Sequence, residues 1–144
     1  MRGFTLLEVL VVVAIIAVCS SLLIIAMPGE GALADREARR LAALVEAATA
    51  EARASGQPIQ WTAERTGYSF WRRSEEGEWQ RFPSESPYRT RTLGGAIAIE
   101  GAALTLTPYG LQAPFEAVIR AGATQIILRS SALGRVTLER LHAG

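Results

Sequence analysis

The chain has 144 residues, of which 49% are hydrophobic, and it carries 15 basic and 14 acidic side chains for a formal net charge of +1. This balance argues against an obligatory acidic or nucleic-acid ligand, although it leaves room for a local basic patch. Cys19 is the only cysteine, so this sequence has no second thiol with which to form an intrachain disulfide.

Residues 4–27 form a predominantly apolar run in which Glu8 is the only charged side chain. At about 1.5 Å per residue, a helix of this length spans the roughly 30 Å hydrocarbon layer of a bilayer. A carboxylate at the bilayer centre costs on the order of 2.5 kcal/mol or more, and less near an interface, which makes an acid here a functional residue by default. We therefore predict a transmembrane helix over 4–27 and an assembly role for Glu8.

Cleavage of the chain after Gly3 gives Glu8 a partner. The new amine on Phe4 stands four positions before Glu8 and, with an unperturbed pKa of about 7.7 to 8, is largely cationic at neutral pH. Two unit charges about 4 Å apart attract by about 4 kcal/mol at an effective dielectric near 20, enough to offset the burial of one carboxylate. The amine belongs to the same chain or to a neighbour, and a neighbour's amine sets one helix in register with another.

Glycine, phenylalanine and glutamate in this order before an apolar helix resemble the N-terminal signature of the type IV pilin-like family. The resemblance implies that residues 1–3 are a leader peptide, that a prepilin peptidase cuts between Gly3 and Phe4, and that Phe4 is then N-methylated. It also makes Glu8 the assembly glutamate. Members keep the leader in the cytoplasm, cross the bacterial inner membrane once and place the C-terminal domain in the periplasm.

Two other interpretations of the N-terminus compete with this one. A secretory signal peptide would use Arg2 as its basic region and Ala32-Leu33-Ala34 as its cleavage site before Asp35. The apolar run of 24 residues is longer than the usual signal core of roughly 7 to 15 residues, and such a core tolerates the charge of Glu8 poorly. A plain membrane anchor has the right length but leaves Glu8 unexplained.

Residues 28–56 are predicted to form a joint followed by an amphipathic helix. Pro28 and Gly29 interrupt the first helix, and Gly56 ends the second as a C′ residue, with Pro58 shortly after it. Apolar residues recur at spacings of three and four in between, at Leu33, Leu41, Leu44, Val45, Ala48 and Ala52. Arginines and Glu46 occupy the other side, so we expect one long rod whose second half packs on its own domain.

Residues 57–144 are predicted to be a β-rich domain of the periplasm. Strand-like runs fall at 59–64, 68–73, 78–82, 96–99, 104–107, 115–119, 125–128 and 136–141, separated by glycine and proline turns. The fold class is therefore α+β, with a long N-terminal helix packed on a mostly antiparallel sheet. Six aromatic residues are expected to anchor the core or the sheet: Trp61, Trp71, Trp79, Phe70, Phe82 and Phe115.

The sequence offers few residues for chemistry. His142 is the only histidine and lies near the end of the sequence, in what we expect to be a frayed tail. Glu75 and Glu76 adjoin Gly77 in an apparent turn, where solvated carboxylates are the simpler interpretation. We predict a protein that is not an enzyme and has no catalytic, cofactor-binding or metal-binding residues.

The layout of the domain resembles the H class of minor pseudopilins in type II secretion. Residues 51–59 resemble the helix-to-strand join of that class, and Pro108-Tyr109-Gly110 with Pro114-Phe115 resembles a later turn and strand. The resemblance implies a structural subunit near the tip of a periplasmic pseudopilus that helps export folded proteins across the outer membrane. Its implied partners are the other minor pseudopilins, the major pseudopilin, and the prepilin peptidase and methyltransferase.

The alternative function is that of a minor type IV pilin of a DNA-uptake pilus, similar to FimT. Five arginines are the tentative DNA contacts, namely Arg72, Arg73, Arg89, Arg91 and Arg135. Trp71 and Tyr88 lie beside four of them and offer faces on which bases stack. Acidic residues interleave with these arginines, which favours solvated strand edges instead.

Overall fold

The computed structural model describes residues 5–26 and 29–142. Helix α1 spans Leu6–Ala26 and helix α2 spans Glu30–Ser55. The strands that follow are β1 Ile59–Glu64, β2 Gly67–Arg73, β3 Trp79–Arg81, β4 Arg91–Thr92, β5 Ala98–Gly101, β6 Leu104–Leu106, β7 Phe115–Ala121, β8 Thr124–Ser130 and β9 Val136–His142. Both helices precede all the strands, as the sequence predicted.

The strands form two sheets in which every pairing is antiparallel. Sheet A has the order β3-β2-β1-β6, with β4 also paired to β2, and sheet B has the order β5-β7-β8-β9. The predicted α+β class, with a helix packed on antiparallel sheet, is confirmed. The division of the strands into two sheets was not predicted.

Helix α2 packs its apolar stripe on the sheets. Its buried residues recur at helical spacing and are Ala34, Glu37, Ala38, Leu41, Val45, Ala48, Thr49 and Ala52. Alanines dominate this face, and their small size lets the helix lie close to the strands. The helix begins at Glu30, earlier than the periodicity predicted, and Gly56 ends it in the left-handed conformation at φ 70°, with its N–H donating to the Ala52 carbonyl oxygen at 3.0 Å.

Aromatic side chains from both sheets meet in the core. Trp61 on β1 and Phe115 on β7 pack edge to face, with ring centroids 5.1 Å apart and planes at 74°. Tyr68 and Phe70 on β2 make a second edge-to-face pair at 6.1 Å. All four side chains are buried, as the sequence led us to expect for three of them.

Two features of the domain differ from the predictions. Strand β4 is only two residues long and lies in a stretch where no apolar alternation marks a strand. Trp79 is not a core anchor, because β3 is a short edge strand whose residues are all exposed. Trp71 faces the sheet surface, where its indole N–H donates to Thr62 Oγ1 at 2.9 Å and the Arg81 guanidinium lies 4.6 Å from its ring centroid.

The joint between the helices is described on one side only. Gly29 precedes α2 in an extended conformation at φ −61° and ψ 157°, whereas Pro28 lies outside the described residues. Within residues 5–26 and 29–142, no helix combines the length and the apolar character needed to cross a membrane.

Candidate functional site

Glu8 lies in the first turn of α1 and is exposed. Its backbone N–H donates to the Thr5 carbonyl oxygen at 3.0 Å and to the Thr5 hydroxyl oxygen at 3.3 Å. Thr5 thus caps the helix, and a Thr-x-x-Glu sequence is also the pattern of a capping box. A carboxylate this near a helix N-terminus is favoured by the exposed backbone N–H groups. Gly3 and Phe4, the predicted processing site, lie outside the described residues.

The side chains of α1 that the structure describes are exposed, and all except Glu8, Ser20 and Ser21 are apolar. Leu6, Leu10 and Val18 expose 86%, 65% and 61% of their surfaces. The hydroxyls of Ser20 and Ser21 donate to the carbonyl oxygens four residues earlier, at 2.7 and 2.9 Å, so these two groups are satisfied within the helix. An apolar surface of this extent marks contact with a membrane or with other proteins.

A buried ion pair fixes the first half of α2 to sheet A. The Arg91 guanidinium donates to both Glu37 carboxylate oxygens, at 2.8 and 2.9 Å, and the Tyr68 hydroxyl donates to Glu37 Oε1 at 2.8 Å. Glu37 is 4% exposed, so this carboxylate is almost fully withdrawn from water. We call Glu37, Tyr68 and Arg91 the helix clamp.

Within the clamp, the pKa values of Glu37 and Tyr68 are shifted so that each group keeps the protonation state its hydrogen bonds require. Burial alone raises the pKa of the Glu37 carboxyl, but hydrogen bonds from Arg91 and Tyr68, together with the charge of Arg91, outweigh it and hold that pKa below its ordinary value. Burial and the hydrogen bond to Glu37 raise the pKa of the Tyr68 phenol. The carboxylate is therefore charged and the phenol neutral at neutral pH, which is the combination the clamp requires.

Further polar contacts tie α2 to sheet B along its length. Asp35 accepts a 2.5 Å hydrogen bond from Arg140 on β9. Glu46 accepts one from the backbone N–H of Val136 at 3.0 Å. Helix α2 is thus held to both sheets by charged groups as well as by its apolar stripe.

The five arginines considered as DNA contacts do not all lie on one sheet, and one of them is engaged in the clamp. Arg91 is committed to the clamp, and Arg135 belongs to the turn after β8, on the other sheet. Arg72 lies over the Phe82 ring at 5.4 Å from the centroid, and Arg73 donates to the Gly77 carbonyl oxygen at 3.2 Å. Arg89 donates to the Ser86 carbonyl oxygen at 3.4 Å. Four of the five arginines therefore already contact another group of the domain, and the fifth, Arg135, lies in a turn of sheet B.

Residues with metal-binding side chains do not gather in the described parts of the chain, where no group of three or more could hold an ion. Glu75 and Glu76 lie in the predicted turn and are exposed. The backbone of His142 belongs to β9, where it pairs with Thr124, so the strand extends into the tail that was expected to fray.

The sequence did not reveal the clamp. Glu37 occupies the apolar stripe of α2, three residues after Ala34 and four before Leu41, and this position was the available signal. A carboxylate in a buried stripe requires a cationic partner, but the partner is 54 residues away on a strand too short to predict.

Comparison with known proteins gives two family matches. Residues 1–24 match the prokaryotic N-terminal methylation motif, and residues 37–139 match the family described as type II transport protein GspH. The first match covers the predicted processing site and Glu8, and the second covers most of the domain. No curated protein matches the chain significantly.

Solved structures that share the fold include two of the minor pseudopilin EpsH from the type II secretion system of Vibrio cholerae. One is 19% identical with a TM-score of 0.63, covering 77% of this chain and 98% of its own. The other is 16% identical with a TM-score of 0.61, covering 77% of this chain and 97% of its own.

Proposed function

This chain belongs to the GspH family of type II transport proteins, and we propose that it acts as a minor pseudopilin near the tip of a periplasmic pseudopilus. In this position it helps folded proteins leave the cell through the outer membrane. The observation that carries the proposal is the exposed apolar surface of α1, joined in one chain to a domain with the fold of EpsH. A helix with this surface needs a membrane before assembly and other helices after it.

The proposal includes the processing of the N-terminus. A prepilin peptidase removes residues 1–3, the amine of Phe4 is methylated, and residues 4–27 anchor the protein in the inner membrane until it joins the fibre. The methylation-motif match over residues 1–24 supports this sequence of events. The periplasmic domain then faces the other minor pseudopilins and the major pseudopilin.

Glu8 provides the link between processing and assembly. In an apolar environment the charged carboxylate of Glu8 is unfavourable until a cation lies close to it. The amine of Phe4 remains a cation after methylation and can fill this role. An amine from a neighbouring subunit offsets this cost only when the two helices are in the correct register. The pairing thus selects correctly placed subunits.

The protein has a mechanical task and performs no catalysis in this proposal. Energy for fibre growth comes from a separate cytoplasmic ATPase. The GspH family is a structural one. The helix clamp serves this task because it transmits force from α1 to the sheets through buried, charge-assisted hydrogen bonds.

The direct test replaces Glu8 by valine in the full chain expressed with its secretion system. We expect Glu8→Val to be cleaved normally but to enter sheared pseudopili at a small fraction of the wild-type level. Ser20→Ala, a change to an apolar residue on the same helix, is the matched control and should enter normally. Normal incorporation of Glu8→Val would contradict the role of the carboxylate.

A further inference from the structure

The end of the domain away from α1 exposes three large apolar side chains on two loops. Tyr109, Leu111 and Leu133 expose 78%, 71% and 72% of their surfaces. Tyr109 and Leu111 lie between β6 and β7, and Leu133 lies in the turn between β8 and β9. In a folded domain whose other large apolar residues are mostly buried, such a concentration requires an explanation.

Contacts join these two loops to each other and to the C-terminal end of α2, so that together they form one surface. The Gln112 backbone N–H donates to the Ala132 carbonyl oxygen at 2.9 Å, which joins the loops to each other. A Cβ placed on Gly56 would come within 3.2 Å of the Tyr109 hydroxyl oxygen, so this ring lies at the C-terminus of α2. Arg53 donates to the Leu133 carbonyl oxygen at 3.4 Å, one helical turn earlier. We call Tyr109, Leu111, Leu133, Arg53 and Arg135 the distal patch.

A groove of about 610 Å³ lies between α2 and the β8–β9 turn, and three members of the patch, Arg53, Leu133 and Arg135, line it. Thr49 and Ala50 of the helix form one wall, and Ser131 and Leu133 of the turn form the other. Gly134 packs directly against Thr49 and has a positive φ of 83°, a conformation that brings the turn close to the helix. The turn is therefore held close to the helix, and the groove forms between these two elements of the domain.

The unsatisfied charge at this groove is positive. Among the residues the structure describes, neither Arg53 nor Arg135 takes part in an ion pair. The one carboxylate that lines the groove, Glu46, already accepts the Val136 N–H. With two arginines and one glutamate in its lining, the groove carries one excess positive charge, which favours a ligand that brings apolar side chains and a carboxylate.

These observations select a protein partner over other candidates. Helix α2 begins at Glu30, so the groove residues Glu46 to Arg53 lie about 24 to 35 Å along the helix from the end that adjoins α1, too far for contact with lipid headgroups. The patch offers nucleic-acid bases a single aromatic face, that of Tyr109, beside two leucines on which bases do not stack. A symmetric contact with a second copy would bring four arginines together with only two carboxylates, those of Glu46, each of which already accepts the Val136 N–H.

We propose that the distal patch docks a carboxylate-bearing, apolar-faced segment of a different subunit of the same fibre. The contact joins domains end to end and is separate from the packing of the apolar helices. This inference rests on the proposed fibre role, since only a fibre subunit meets such a neighbour at this end.

Photo-crosslinking in cells that make the complete set of fibre subunits tests the docking surface. p-Benzoylphenylalanine replaces Leu111 or Leu133 in the full chain, with Gln80 on the exposed edge strand β3 as the control position and Val12 on α1 as the reference for helix contacts. We expect Leu111 and Leu133 to give an adduct with another pseudopilin that Gln80 does not give.

Charge variants then test the chemistry of the partner. Arg53→Glu with Arg135→Glu should lower the yield of that adduct by at least about tenfold, because like charges then face each other. Arg53→Lys with Arg135→Lys should retain most of it. The matched control, Arg72→Glu with Arg89→Glu, changes the net charge equally and should leave the yield within about twofold.

Each other outcome overturns a defined part of the account. An adduct only with a second copy of this chain, or one sensitive to nuclease, contradicts the proposed partner. Adducts at Val12 but none at Leu111 or Leu133 contradict the docking surface and leave the fibre role intact. The absence of pseudopilin adducts at Val12 as well contradicts the fibre role itself.

Discussion

The Arg91 guanidinium donates two hydrogen bonds to the Glu37 carboxylate, at 2.8 and 2.9 Å, and so joins helix α2 to a strand 54 residues away in the sequence. The pair is unequal in exposure, since the Glu37 side chain is 5% exposed and that of Arg91 is 35% exposed. Because Glu37 is the more buried of the two, leaving its carboxylate without a partner would cost more free energy than leaving the Arg91 guanidinium without one. This pair is one of the contacts that hold α2 to the domain, beside its apolar stripe and its bonds to β9.

Breaking the pair on one side should destabilise the domain. We expect Glu37→Gln to lower the free energy of unfolding by about 2 to 3 kcal/mol, because the carboxylate is lost while Arg91 keeps its charge in a partly buried position. Urea unfolding of the full chain in detergent measures this change. Glu100→Gln is the matched control, since its pair with Arg120 is exposed and should contribute less than about 1 kcal/mol. Equal effects of the two variants would show that burial does not strengthen the clamp.

The clamp should also make stability depend on pH at both ends of the range. The pKa of Glu37 lies below its ordinary value of 4.5, so its contribution to stability is present above that pH and is lost as the pH falls through the native pKa. The pKa of Tyr68 lies above its ordinary value of 10.0, so its contribution is present below pH 10.0 and is lost as the pH rises beyond it.

Unfolding curves recorded as a function of pH test both signs. The stability difference between wild type and Glu37→Gln should shrink in acid, and the difference between wild type and Tyr68→Phe should shrink in alkali. Differences that stay constant from pH 3 to pH 11 would mean that neither group titrates differently in the folded and unfolded states.

Gly67 should be intolerant of any side chain. A Cβ at this position would overlap the Arg91 carbonyl oxygen, because β2 and β4 approach most closely there. We expect Gly67→Ala to lower the free energy of unfolding by about 1 to 3 kcal/mol and to displace Arg91 from Glu37. Gly94→Ala is the control, since no atom lies within 4 Å of its Cβ position, and its effect should be within about 0.5 kcal/mol. A benign Gly67→Ala would show that β4 shifts without cost.

Much of this architecture was predictable because local patterns determine it. The stripe of α2, its end at Gly56 and the alternation of β7 and β8 follow from spacing and turn residues alone. The clamp, strand β4 and the distal patch depend instead on residues far apart in sequence. Pairing across 54 residues leaves no periodic signal, and an exposed leucine such as Leu133 looks like a core residue until the fold places it at the surface.

DNA binding is the alternative that the arrangement of arginines disfavours. We expect no salt-dependent shift of duplex DNA by the full chain, even at low salt, because Arg91 is paired with Glu37 and Arg135 lies on the other sheet. An electrophoretic mobility assay at several salt concentrations measures this. A shift that weakens with salt and disappears in Arg72→Gln with Arg73→Gln would restore the DNA-uptake interpretation.

The most direct test of the account is the N-terminus of the mature protein purified from its native membrane. Intact mass and N-terminal sequencing should give a chain that begins at Phe4 and carries one N-methyl group, because the pairing of Glu8 requires that amine. A mature chain that begins at Asp35 would identify a cleaved signal peptide and contradict the account.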